Sequence, residues 1–111
     1  EENIRSITYA QDKVGIVTDN VEGGDPYKLR IYDREGSPVF EKTFNYQYTG
    51  FDIDGDLVLL YNDSSCKVYN MTGTEKYNGT FDFTVSKVSA GRFPGTLLVM
   101  GPQKMTEIKL Q

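Results

Sequence analysis

The segment Ile31–Phe44, IYDREGSPVFEKTF, occurs twice in this chain, and the repeat restricts the folds open to it more than any other feature. Moved by thirty-seven positions, it lies over VYNMTGTEKYNGTF, Val68–Phe81. Ile31 falls on Val68, Tyr32 on Tyr69, Asp33 on Asn70, Gly36 on Gly73, Phe40 on Tyr77 and Phe44 on Phe81. Each copy reads as strand, glycine-containing turn, strand. A period of this length marks a supersecondary unit that stacks on its own copies.

The pattern extends in both directions. Ile4–Ala10 and Val14–Thr18 (VGIVT) precede the first copy, and Gly50–Ile53 and Leu57–Tyr61 (LVLLY) precede the second. Short apolar runs bounded by polar residues are buried strands rather than helices. Lys28–Asp33 alternates, with Leu29 and Ile31 on one face and Lys28, Arg30 and Tyr32 on the other, as in a half-buried strand. Val39–Tyr48 and Lys76–Phe83 are the aromatic-rich fourth strands of their units. Asp54-Gly55-Asp56 signals a hairpin, because glycine accepts the positive φ of a primed turn. A third unit follows with Ser86–Ala90, Thr96–Met100 and Met105–Leu110, and at a spacing of forty Ile108 falls under Val68.

The count is eleven short strands in units of four, four and three, within one all-β antiparallel domain over residues 1–111 (units 4–48, 49–84 and 85–111). Fourteen Tyr and Phe residues and eleven glycines favour sheet over helix. The strand pattern resembles β-propeller blades of the WD-repeat and quinoprotein-like kind, about two and two-thirds of them. Tyr32-Asp33 and Tyr69-Asn70 stand where the Trp-Asp dipeptide of WD repeats would stand. The IYD-x-x-G and VYN-x-x-G units also resemble a bacterial, membrane-anchored, propeller-like family of undescribed function. That resemblance implies an extracytoplasmic place behind an anchor outside this chain. The chain opens on Glu1-Glu2-Asn3 without Met, so a processed protein or an excised domain is expected.

A propeller closes with about four to eight blades, which leaves three expectations. The chain is a fragment of a longer propeller, or copies associate to close a ring, or the same strands form a β-sandwich.

Function is constrained mostly by exclusion. The sequence has no His and a single Cys, Cys66, so histidine-based triads, zinc sites and iron–sulfur sites lack their ligands. No phosphate-loop, dinucleotide or nucleophile-elbow motif occurs. Cys66 lies in an alternating apolar run and reads as a buried small hydrophobe. The net charge is −4 without a basic cluster, which argues against nucleic acid and against membrane contact by the domain itself.

Asp52, Asp54 and Asp56 invite a calcium reading, but Leu57 stands where a calcium loop needs glycine, and aspartates belong at a hairpin anyway. We expect no metal and no cofactor. Asp52 and Asp54 as a hydrolytic carboxylate pair are the enzymatic alternative. Asn62, Asn70 and Asn78 begin glycosylation sequons at or near expected turns.

The leading expectation is a non-enzymatic binding or scaffold module with a protein or peptide partner, or with self-association, acting through its loops. The longest loop, Asp19–Tyr27, supplies Asp19, Asn20, Glu22, Asp25 and Tyr27 as candidates. Tyr46 and Tyr48 join them, and with the neighbouring Phe residues they could instead form a stacking platform for a glycan or peptide sensor.

Overall fold

The computed structural model describes residues 3–110. Glu1, Glu2 and the Gln111 end of the third unit lie outside the described residues. The eleven strands form three antiparallel meanders. Blade 1 contains β1 (Ile4–Tyr9), β2 (Lys13–Asp19), β3 (Tyr27–Asp33) and β4 (Pro38–Phe44). Blade 2 contains β5 (Gly50–Asp54), β6 (Leu57–Tyr61), β7 (Ser65–Asn70) and β8 (Glu75–Thr80). Blade 3 contains β9 (Lys87–Ala90), β10 (Thr96–Met100) and β11 (Met105–Lys109). No helix occurs among the described residues. The sheets succeed one another in a fan with two core interfaces, which is a propeller-like stack and not a two-layer sandwich.

Each blade has a front face toward the next blade and a back face toward the one before. Val17, Leu29, Ile31 and Phe44 on the front of blade 1 pack on Ile53, Val58, Leu60 and Tyr69 on the back of blade 2. Leu57, Leu59, Cys66 and Val68 on the front of blade 2 pack on Val88, Leu97 and Val99 of blade 3. This explains LVLLY: β6 is covered on both faces, so the usual alternation vanishes. Burial of each such side chain contributes about 1.5–3 kcal/mol.

The first strands are innermost, with β5 against both β1 and β9. Thr8 Oγ1 donates to Asp52 Oδ1 at 3.4 Å, and the Ala90 amide donates to Asp54 Oδ2 at 2.8 Å. The two carboxylates thus fasten the blades to one another.

The repeated motif is a turn device. Asp33 Oδ1 accepts the Glu35 and Ser37 amides at 3.0 and 2.9 Å, and Asn70 Oδ1 accepts those of Thr72 and Thr74 at 3.0 Å each. Gly36 and Gly73 close these turns at φ 85° and 81°, where a Cβ would be strained. A register shift flanks each turn, between Ile31 and Tyr32 and between Val68 and Tyr69, leaving Val39 and Lys76 as the extra residues on β4 and β8. The polar residue after the aromatic is there to cap the turn.

Three expectations need correction. The fourth strands end at Phe44 and Thr80, so Tyr46, Tyr48, Phe81 and Phe83 belong to the connections between blades. Asn78 lies within β8 rather than at a turn. Ile108 corresponds to Tyr69 and not to Val68, because Leu97 pairs with Ile108 as Val58 pairs with Tyr69. A one-residue slip changes the face of a strand residue, so Ile108 belongs to the back of blade 3.

Gly15 lies on the front of blade 1, and a Cβ there would meet Phe51 Cζ at 2.8 Å, Ile53 Cδ1 at 3.1 Å and Ile31 Cδ1 at 3.2 Å. Gly15→Val is expected to destabilise the fold by about 1–3 kcal/mol through overpacking, read from the urea midpoint. An unchanged midpoint would mean that this interface is loosely packed.

Burial pushes the Cys66 thiol from 9.0 up to about 12, and burial followed by Glu75 and Asp25 pushes the Tyr69 phenol from 10.0 up to about 12. Both groups are neutral when protonated, and the unfolded chain loses these protons first. Stability is therefore intact below about pH 9, the ordinary thiol value, and falls as pH rises toward 12. Urea midpoints measured from neutral to alkaline pH should decline over that window. Tyr69→Phe should shallow the decline, and an unchanged slope would remove Tyr69 as a cause.

Candidate functional site

In a meander the connections alternate between the two ends of the sheet. The β2–β3 loop, the blade-to-blade connections 45–49 and 81–86, and the β6–β7 and β10–β11 loops therefore share one end of the stack. All seven sequence-derived candidates lie at this end, but they do three different things.

Asn20, Glu22 and Asp25 hold the loop itself. Asn20 Nδ2 donates to the Gly23 and Asp25 carbonyls at 3.1 and 2.8 Å, while its Oδ1 accepts the Glu22 amide at 3.3 Å. Glu22 accepts from the buried Lys28 ammonium at 2.8 Å, and Asp25 Oδ2 accepts from Thr43 Oγ1 at 3.0 Å. Lys28 and Thr43 are paired residues on the back of blade 1. The loop is thus folded down over that face and does not project as a free arm.

Tyr46 faces the neighbouring blade. Its hydroxyl is 2.7 Å from Ser65 Oγ, and burial raises its phenol above the ordinary value. It is half-buried at the junction of blades 1 and 2, packed against their shared core.

Asp19, Tyr27 and Tyr48 come together, twenty-nine positions apart at the extremes. Arg5 Nε donates to Asp19 Oδ1 at 2.6 Å, and Asn3 Nδ2 donates to Asp19 Oδ2 at 3.3 Å. The Arg5 guanidinium lies over the Tyr27 ring, 5.9 Å from its centroid, within cation–π range. It also holds the Asp19 carboxyl below the usual carboxylate range. Tyr27 meets Tyr48 edge-on at 5.8 Å, and its hydroxyl donates to Gln47 Oε1 at 3.3 Å. The Tyr48 hydroxyl is 2.8 Å from Ser6 Oγ. Burial raises the Tyr48 phenol as well, so it stays a neutral hydroxyl. Together Arg5, Ser6, Tyr27, Gln47, Tyr48 and Thr49 line a shallow depression of about 300 Å³.

Arg5 and Gln47 escaped the sequence reading. Gln47 offered only its place between Tyr46 and Tyr48, and it lines the same depression as Tyr48. Arg5 carried no signal, because only the β1–β2 pairing brings it to Asp19.

The opposite end has a second depression, of about 470 Å³, between the β5–β6 and β9–β10 hairpins. Asp56, Lys76, Arg92 and Phe93 contribute to its wall. Phe93 is 61% exposed, with the Arg92 guanidinium 5.6 Å from its ring centroid. Its sequence signal, Arg92-Phe93-Pro94-Gly95, is dominated by the turn.

Among the described residues, no group of three or more carboxylate or thiol side chains is placed to hold a metal ion. Asp52 and Asp54 are occupied with Thr8, Lys87 and the Ala90 amide. Cys66 is fully buried in the interface of blades 2 and 3.

Among solved structures, the fold is similar to the crystal structure of HIRA(644-1017), a WD40 β-propeller, with a TM-score of 0.65 at 12% identity. The match covers 96% of this chain and 34% of that one, so the chain spans about a third of its structural neighbour. At this identity the likeness establishes the propeller-like fold alone. No curated protein matches the sequence. A family model matches residues 1–110, and the chain accordingly belongs to DUF5711, a family of unknown function.

Proposed function

We propose that this protein is a non-enzymatic binding module that holds a protein or peptide partner at the loop end of blades 1 and 2. The observation that carries the reading is the convergence of Arg5, Tyr27, Gln47 and Tyr48 on one open depression, with Asp19 holding Arg5 in place. Tyrosine and arginine dominate interface hot spots, since they combine a large contact area with directed hydrogen bonds. Here the loop 19–27 is fixed by Asn20, Glu22 and Asp25, so little ordering entropy is lost on binding.

A glycan platform is the weaker reading. The Arg5 guanidinium already occupies one face of Tyr27, and Tyr48 meets that ring edge-on, which leaves little ring surface for a sugar. The extracytoplasmic place implied by the resemblance to anchored propeller-like proteins belongs to the same proposal, and cell fractionation with an antibody tests it.

Capture from an extract of the source organism, read by mass spectrometry, tests the module. The double substitution Arg5→Ala/Gln47→Ala should remove a specific partner and lower its affinity about tenfold or more, as truncation of hot-spot residues does. These side chains are at the surface, so the melting midpoint should stay within about 5 °C of the parent. The control Arg92→Ala/Phe93→Ala alters the opposite end. A partner list insensitive to the first pair and lost with the second would move the site to the hairpin end.

A further inference from the structure

The two outer faces of the stack differ in kind. Tyr9 pairs with Val14, Ile7 with Ile16 and Val14 with Tyr32. The same pairs in blade 2 are Ile53 with Val58, Phe51 with Leu60 and Val58 with Tyr69. Residue for residue, Ile7, Tyr9, Val14, Ile16 and Tyr32 hold the back-face positions of Phe51, Ile53, Val58, Leu60 and Tyr69. The blade 2 set packs on the front of blade 1, with Val58, Leu60 and Tyr69 at 0–1% exposure. The blade 1 set is open at its inner strand, where Ile7 is 46% and Tyr9 72% exposed with Ile4 beside them at 62%; Val14, Ile16 and Tyr32 are half-buried, and the 19–27 loop covers only Lys28 and Thr43 farther out.

The front of blade 3 is mixed: Leu98, Met100 and Met105 lie on it, with Met105 62% exposed, but charged residues hold two positions that are apolar or neutral in blade 2. Leu98 pairs with Glu107 where Leu59 pairs with Val68, and Thr96 pairs with Lys109 where Leu57 pairs with Asn70. A carboxylate therefore stands at the position of Ile31 and Val68. Glu107 accepts from the Arg92 amide and guanidinium, both at 3.1 Å, and from Thr96 Oγ1 at 3.3 Å. Covering this face with an apolar blade would take Glu107 and its Arg92 partner out of water, which is unfavourable for a charged pair.

The fronts of blades 1 and 2 are already buried inside the chain, so a second copy has no matching apolar front to offer among the described residues. We propose that the open back face of blade 1 is the docking surface for the front of a further four-stranded blade of this repeat, joined ahead of β1. The interface it would form continues the one between blades 1 and 2. That front would carry aliphatic residues where Val17, Leu29 and Ile31 stand. It would also need a small residue where Gly15 receives Phe51 and Ile53, to admit Ile7 and Tyr9.

The test adds such a blade. A copy of residues 4–47 fused ahead of Ile4 leaves five residues between its last strand and Ser6, the number that separates Phe44 from Gly50. The fusion should be a monomer that melts about 5 °C or more above the 111-residue chain. Ile7→Lys/Tyr9→Lys in the original blade 1 should abolish that gain, yet shift the unfused chain by less than about 2 °C, because both side chains are exposed there. The proposal is overturned if the double substitution acts equally in both proteins. An added blade that raises no midpoint or is removed by mild proteolysis overturns it too. A dimer of the unfused chain that the same substitutions dissolve would make a second copy the occupant and overturn it equally.

Discussion

An apolar sheet face in this protein has to be covered by the next sheet, and the other features follow from that requirement. A four-stranded meander can satisfy its own backbone hydrogen bonds, but it cannot bury either of its faces. Blade 2 meets the condition twice, and it is the blade with the continuous apolar strand LVLLY. Gly15 shows how close the contact is. The front of blade 1 gives up a side chain so that Phe51 and Ile53 can enter.

The same requirement shapes the candidate site. The short connection from β4 to β5 runs from the outer strand of blade 1 to the inner strand of blade 2, and it places Tyr46, Gln47 and Tyr48 at the seam. The β2–β3 loop reaches back over Lys28 and Thr43, covering part of a face that no blade covers. Glu22 and Asp25 are used in that work, while at its two ends Asp19 holds Arg5 and Tyr27 lines the depression beside it. The loop is long because it serves as a partial lid on blade 1 as well as a connection.

Much of this was legible in the residues. The period, the strand pattern of four, four and three, and the glycine turns all follow from local chemistry, while the capping by Asp33 and Asn70 came from the structure. Each depends on neighbours a few positions away. The site was legible only in part. Tyr27, Tyr48 and Asp19 stood out by type and by loop position, whereas Arg5 is an ordinary strand residue until β1 pairs with β2 and reaches Asp19. Tyr46 shares the composition of its neighbours but turns inward, because Ser65 waits on the next blade.

By itself the sequence determined the all-β repeat, its turns and the apolar character of each strand, because these rest on φ preferences, side-chain period and hydrophobicity. Only the tertiary structure decided which face each residue occupies. Ile108 shows the difference: it looks like a partner of Val68 by spacing, but strand pairing matches it to Tyr69 and turns it to the opposite face. The same step places Glu107, and not an aliphatic residue, on the outer front of blade 3. The side-chain period of a strand is two, so one residue of register separates a packing face from a charged one, and long-range pairing sets that register.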